Sequence, residues 1–228
     1  MRIVIMGGTS GIGLAAAEVL SEAGHEVVVT GRDPEKLAAV KDRVAAAEAV
    51  DGTSAAEIAA FFERVGAVDH LVLAFSPGAT GAGPLREVAL DDVRAGFDGK
   101  LFGYLSAIQH AQVSGSITMV SAASARAALP GTVTLAAVNG AIERIVSPLA
   151  VELAPVRVNA IAPGVIDTAW WSFLSPEERA AQFRGAAESV PAGRVGTPAD
   201  VADAIRYVIG ADYVTGTVLP VDGGFTVA

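Results

Sequence analysis

Near the N-terminus stands a group of residues with the types and spacing to hold a pyrophosphate. Gly7-Gly8-Thr9-Ser10-Gly11-Ile12-Gly13 follows the apolar run Ile3–Met6 and leads into a helical stretch, Ile12–Ala23, ended by Gly24. Glycines at 7, 11 and 13 permit a tight turn and let a ligand approach the backbone closely. The helix behind them offers free N–H groups and the positive end of its dipole. A glycine cluster alone says little, but one placed between a first strand and a helix is a specific signal. The expected contacts are Gly7, Thr9, Ser10, Gly11, Ile12 and Gly13.

A second feature bears on which dinucleotide. The next strand, Glu26–Thr30, runs into Gly31-Arg32. A carboxylate at its end would hydrogen-bond a ribose diol and repel a 2′-phosphate. Gly31 leaves room, and Arg32 offers a guanidinium fork to the phosphate. The expected cofactor is NADP(H). The plainer reading of Arg32 is a solvated surface arginine partnered by Asp33.

Other reactive residues are sparse. The chain has no cysteine, which excludes disulfides, thiolate metal sites and cysteine nucleophiles. His25, His70 and His110 are scattered, with no Asp or Ser arranged around them, and no metal-ligand spacing occurs. Trp170, Trp171, Phe173 and Leu174 form an apolar patch that either covers a substrate or packs on a partner subunit.

The elements that must position these residues alternate. Strands are expected at 3–6, 26–30, 49–50, 68–74, 116–121, 157–161 and 218–221. Helices are expected at 12–23, 34–47, 55–65, 90–112, 133–153 and 199–209, with Asp33 and Ser54 as N-caps and a short helix near 176–185. The strands are apolar throughout rather than alternating, which calls for a parallel sheet covered on both faces. About seven βα units without a linker make one doubly wound α/β domain over residues 1–228. The stretch 167–198 breaks the rhythm where ligands sit in such sheets, and reads as a lid.

Composition sets outer bounds. With 52% hydrophobic and 18% charged residues, a sizeable core forms and wholesale disorder is excluded. Sixteen basic against 25 acidic residues give a net charge of −9, a poor match to a nucleic-acid backbone or an anionic membrane. Residues 101–125 carry no Lys, Arg, Asp or Glu; Gln109, His110, Gln112, Ser114 and Gly115 interrupt them, so they read as buried interior. The apolar start is too short for a signal peptide. A cytoplasmic protein is expected.

Several motifs in order resemble the short-chain dehydrogenase/reductase family over essentially the whole chain. They are Gly7–Gly13, with Met6 at the family's threonine position; Asp51 after the third strand; Arg157-Val158-Asn159-Ala160-Ile161-Ala162-Pro163-Gly164-Val165-Ile166-Asp167-Thr168; and Val221-Asp222-Gly223-Gly224. The resemblance implies a Rossmann-type fold. It implies an adenine contact from Asp51, and a grip on the nicotinamide carboxamide from Pro163, Gly164, Val165, Ile166 and Thr168. The family's Asn-Asn-Ala-Gly corresponds to Leu73-Ala74-Phe75-Ser76, putting Ala74 at the cofactor.

The same comparison changes the catalytic positions. The family's Tyr falls on Leu135, its Lys on Asn139, its Ser on Ala122 and its Asn on Lys100. Leu135 can neither donate nor accept a proton. Lys100 and Asn139 form a reciprocal exchange: the cation and the amide are both kept, with their places traded. Asn139 is then expected at the nicotinamide ribose. Lys100 is expected on the substrate side, stabilising an oxyanion or supplying the proton. Ser121 and Ser124 flank the empty serine position and could recover a hydrogen bond to substrate; the plainer reading is strand-end and turn residues that satisfy backbone groups. Tyr104, on the helix face of Lys100, is read as packing.

The resulting expectation is an NADP(H)-binding oxidoreductase with a substituted site, acting on an unknown small carbonyl or hydroxyl compound. Two other classes stay open: a catalytically silent NADP(H)-binding sensor or partner subunit, and a non-redox enzyme reusing the pocket. A homodimer or homotetramer through helices 90–112 and 133–153 is implied by the family.

Overall fold

In the computed structural model, which describes residues 1–227, seven strands form one fully parallel sheet in the order β3-β2-β1-β4-β5-β6-β7. The strands are β1 (Arg2–Met6), β2 (Glu26–Gly31), β3 (Ala46–Ala49), β4 (Val68–Leu73), β5 (Val113–Val120), β6 (Arg157–Pro163) and β7 (Val218–Val221). Between them run α1 (Gly11–Glu22), α2 (Pro34–Val40), α3 (Ala55–Val65), α4 (Leu90–Phe97), α5 (Gly103–His110), α6 (Val133–Glu152), α7 (Pro176–Ser189) and α8 (Pro198–Gly210).

The doubly apolar strands have the reason anticipated for them. Ile3, Val4, Ile5 and Met6 are each at most 1% exposed, so both faces of β1 are covered. Val4 and Met6 join a core with Ile58, Phe61, Tyr104 and Ile142 from α3, α5 and α6. Ile3 and Ile5 join the opposite core with Leu20, Val201 and Ile205 from α1 and α8. Helix starts are encoded locally. Asp33 accepts from the N–H groups of Glu35 and Lys36, and Ser54 from that of Glu57. Ser175/Glu178 and Thr197/Asp200 form capping boxes.

Several expected boundaries shift: β5 starts at Val113 rather than 116, β6 runs on to Pro163 and α7 to Ser189, and larger changes fall in two helices and the third strand. The helix expected over 34–47 ends at Val40, and the third strand is Ala46–Ala49 rather than 49–50. Ala46–Ala49 pairs with Val28–Gly31, so sheet pairing overrides the helix preference of an alanine-rich stretch. The helix expected over 90–112 stops at His110, because β5 begins at Val113 and the Val68 N–H bonds the Gln112 carbonyl. That helix is also interrupted. Asp98–Phe102 forms a π turn between α4 and α5. Two close approaches hold the turn in place. A Cβ at Gly99 would lie 2.6 Å from the Pro77 ring, and one at Gly103 2.2 Å from the Gly52 carbonyl oxygen. No helix among the described residues is long and apolar enough to cross a membrane.

Candidate functional site

A cleft of about 1120 Å³ lies across the C-terminal ends of the strands, from Arg32 and Asp51 at one end to Trp170 and Trp171 at the other. That exceeds the roughly 300–1,000 Å³ of a site for one drug-sized molecule, and gives room for a dinucleotide with a second compound. It lies where doubly wound sheets bind ligands.

The first end is built around the glycine turn. Gly7 has φ +86° and Gly11 φ +53°, conformations that glycine adopts without strain. A Cβ on Gly13 would stand 2.2 Å from the Gly7 carbonyl oxygen, so the turn closes only over glycine. Ser10 is the N-cap of α1 but makes no side-chain cap hydrogen bond. The first N–H groups of α1 are thus left to an anion. Gly7, Thr9, Ser10, Gly11 and Ile12 line the cleft with Arg32, Asp51, Ala74, Pro163, Gly164, Val165, Ile166 and Thr168. Gly13 sits behind, packed on the turn. This half fits a dinucleotide by the donors it presents and by the cradle that a Cβ would fill.

Arg32 does not pair with Asp33, which is occupied in capping α2 and lies 3.9 Å from Lys36. Its guanidinium lies 4.0 Å from the Asp51 carboxylate and is 64% exposed, leaving donors free at the cleft edge. The Thr53 N–H, with its hydroxyl and Arg32, holds the Asp51 carboxyl below its usual value despite partial burial. Gly31 has a packing role that its sequence context does not show: a Cβ there would strike the Thr9 side chain at 2.7 Å.

The second end holds a buried polar network. The π turn delivers Lys100 to the cleft floor, where it is 7% exposed. Its Nζ donates to Asn139 Oδ1 at 2.7 Å and to the Ser121 carbonyl oxygen at 3.3 Å. The two residues of the reciprocal exchange are therefore in direct contact. Both acceptors are uncharged, and burial pushes the Lys100 pKa down to about 7 against the opposing pull of the Glu143 carboxylate. Asn139 Nδ2 donates to Ser124 Oγ at 3.2 Å and to the Leu135 carbonyl at 2.9 Å, so both amide hydrogens are engaged. Ser121 Oγ contacts Glu143 Oε1 at 3.0 Å and the Ile161 carbonyl at 3.3 Å, and Arg126 Nε donates to Glu143 Oε2 at 2.9 Å.

Glu143 is the member of the network that sequence alone did not bring out. It stands four residues after Asn139 on α6, hence on the same face, and that spacing was the available signal. Tyr104 is packing, as expected, with a specific task. Its hydroxyl faces the carbonyls of Phe75 at 3.1 Å and Val120 at 3.2 Å, tying the loop after β4 to the end of β5. Burial raises its pKa. His70 is buried on Ser116 Oγ at 2.8 Å, away from the cleft. Among the described residues no acidic or histidine cluster could hold a metal.

Similar proteins share this architecture. The family model described as enoyl-(acyl carrier protein) reductase matches residues 7–226. The chain belongs to the short-chain dehydrogenase/reductase family. It is 32% identical to the 3-oxoacyl-[acyl-carrier-protein] reductase MabA of Mycobacterium tuberculosis, covering 97% of this chain and 91% of that one. It is 31% identical to the reductase FabG of Aquifex aeolicus, covering 97% and 95%. The solved structure of a small-chain dehydrogenase in complex with NADPH superposes with a TM-score of 0.87 at 32% identity, covering 100% and 99%.

Proposed function

We propose that this short-chain dehydrogenase/reductase is an NADP(H)-dependent oxidoreductase that reduces a carbonyl compound, with Lys100 as its proton source. The observation that carries the reading is the Lys100–Asn139 contact on the floor of a cleft whose other end is the glycine cradle. A lysine buried with only neutral acceptors is costly to maintain, and a perturbed amine in a cleft is a mark of function. That favours an active enzyme over a silent cofactor-binding subunit.

In this reading Gly7, Thr9, Ser10, Gly11 and Ile12 hold the pyrophosphate, Gly13 closes the turn from behind rather than touching it, and Arg32 takes the 2′-phosphate. Asp51 lies at the adenine, Ala74 at the ribose side, and Pro163, Gly164, Val165, Ile166 and Thr168 at the carboxamide; Asn139, expected at the ribose, has its amide engaged within the protein and holds Lys100 instead. NADPH, when bound there, would supply the hydride for the substrate carbonyl carbon. The chain must supply a proton to its oxygen, and Leu135, at the position where the family has tyrosine, has none. A protonated Lys100 Nζ has three N–H groups. Asn139 Oδ1 and Ser121 O take two, leaving one for a substrate in the cleft. Ser121 holds the floor of the site through its carbonyl. Its hydroxyl is already on Glu143, which keeps a negative charge near the ammonium. The segment 167–198 acts as the lid over this end.

Mixing the protein with NADPH and a panel of carbonyl compounds tests the reading. A substrate-dependent loss of reduced-nicotinamide absorbance supports it, and tight NADPH binding with no turnover across the panel returns the silent reading. Cofactor choice is checked separately. Arg32→Ala should weaken NADPH binding by about 1–3 kcal/mol, the range for charge-assisted hydrogen bonds, and leave NADH binding almost unchanged. Equal losses for both cofactors in a titration refute the assignment of Arg32.

The same reading has the protein self-associate through its helical face. Phe102 is 55% exposed, Val133 50% and Val151 80%, and they lie on the π turn and α6. Light scattering at micromolar concentration should give the mass of a dimer or tetramer, and a monomer mass sinks that expectation.

A further inference from the structure

We infer that the Trp170 end of the cleft takes an uncharged, flat, apolar carbonyl compound, best matched by an aromatic ketone, and not a substrate carried on an anionic arm. The inference rests on the function proposed above, since it sets the carbonyl against Lys100.

The shape of the walls favours a flat ring. Leu129, Leu135, Trp170, Trp171, Leu174 and Phe225 line this end, and each keeps part of its surface exposed. The two indoles meet edge to face, with centroids 4.7 Å apart and planes at 77°. Trp170 is braced in turn by Phe173 at 5.3 Å. Trp171 Nε1 donates to the Ile166 carbonyl at 2.9 Å, which fixes the orientation of its ring. Trp171 is packed further by Phe173 at 6.1 Å and Phe183 at 5.8 Å, so the corner is an aromatic cluster against which a flat ring can stack or meet an indole edge to face.

Charge excludes an anionic arm. Among the described residues lining this end, the charged ones are Lys100 and Glu178. Lys100 is committed to the carbonyl oxygen. Glu178 is an exposed carboxylate fixed in the cap of α7, and it repels an anion. Of the nearby arginines, Arg179 is held on Asp167 and over the Phe183 ring and Arg126 on Glu143, while Arg184 is exposed on α7 and does not line the cleft. Arg32 and Lys36, the other cations of the cleft, lie beyond β2 at the far end. Apart from Lys100, a phosphate or carboxylate on the substrate would therefore meet no cation among the described residues lining this end, in a chain of net charge −9.

The test uses the chain's own reporters. Its two tryptophans are Trp170 and Trp171, so tryptophan fluorescence, excited at the red edge where the three tyrosines do not absorb, reads this corner alone. Protein saturated with NADP⁺ is titrated with 1-indanone and with the same ring bearing a carboxylate. The neutral ketone should quench saturably, and the carboxylate should bind about tenfold or more weakly. Trp170→Ala should cost the ketone about tenfold in affinity, and Trp170→Phe should restore most of it. Equal or tighter binding of the carboxylate overturns the inference, as does a ketone affinity unmoved in Trp170→Ala. NADPH is titrated into the same proteins. If NADPH binds and 1-indanone does not, the substrate class falls and the cofactor reading stands. If 1-indanone binds and NADPH does not, the cofactor reading falls and the apolar end stands.

Discussion

Lys100→Met should lower turnover by about 10²-fold or more while changing NADPH affinity little, the range expected when a positioned proton donor is lost. Methionine keeps most of the stem and removes the ammonium proposed to protonate a substrate from the cleft floor. The cradle at Gly7–Gly13 and the Arg32 guanidinium lie at the other end of the cleft, so cofactor binding is read independently. The split between kcat and KM is informative. A proton supplied only in the transition state lowers kcat and kcat/KM together, whereas a lost ground-state contact raises KM with kcat intact. Unchanged turnover in a variant that binds NADPH normally would falsify the assignment of Lys100.

How far the sequence shows these features depends on whether the constraint is local. The cradle is local: a strand, a glycine-rich turn and a helix start within a dozen residues, and it forms where it was expected. The seven-stranded parallel sheet agrees with strands apolar on both faces separated by helical crossovers, the pattern of sheets covered on both sides. What was not legible is set by contacts distant in sequence. The π turn at Asp98–Phe102 depends on Gly99 lying against Pro77 and Gly103 against the Gly52 carbonyl, and a helical period says nothing about either. Its effect is to put Lys100 inside rather than on a solvated helix face. Gly31 is a subtler case. In sequence it stands as room for a 2′-phosphate, but Thr9 already fills the space where a side chain would go. A side chain there would have to displace Thr9, so packing also accounts for Gly31 and cofactor choice rests on Arg32. The Lys100–Asn139 pair was anticipated from the exchange of residue types between two family positions. Its link through Ser121 to Glu143 and Arg126 required the helix-to-strand distances of the fold.

The buried amine should also leave a mark on stability that needs no substrate. Its pKa falls from 10.5 in the unfolded chain to about 7 in the folded one. Between those values the unfolded state binds more protons, so stability rises with pH across the window. Below about pH 7 both states are protonated and the cost of burying the ammonium is present in full. Above about pH 10.5 both are neutral and the cost is gone. Every tenfold change in proton affinity corresponds to about 1.4 kcal/mol, so from pH 7 to pH 9 this one group should add about 2–3 kcal/mol to wild-type stability. Lys100→Met has no such group. Its stability relative to wild type should therefore be most favourable at pH 6 and decline steadily toward pH 9, read as the difference in denaturation midpoints at constant slope. His70, whose pKa burial also lowers, titrates in both proteins and cancels in the difference. Glu143→Gln supplies the internal control. Its carboxylate raises the Lys100 pKa against burial, so removing that charge should extend the titration window to lower pH. A wild-type minus Lys100→Met difference that stays flat between pH 6 and pH 9 would show that the folded protein carries Lys100 with its ordinary pKa.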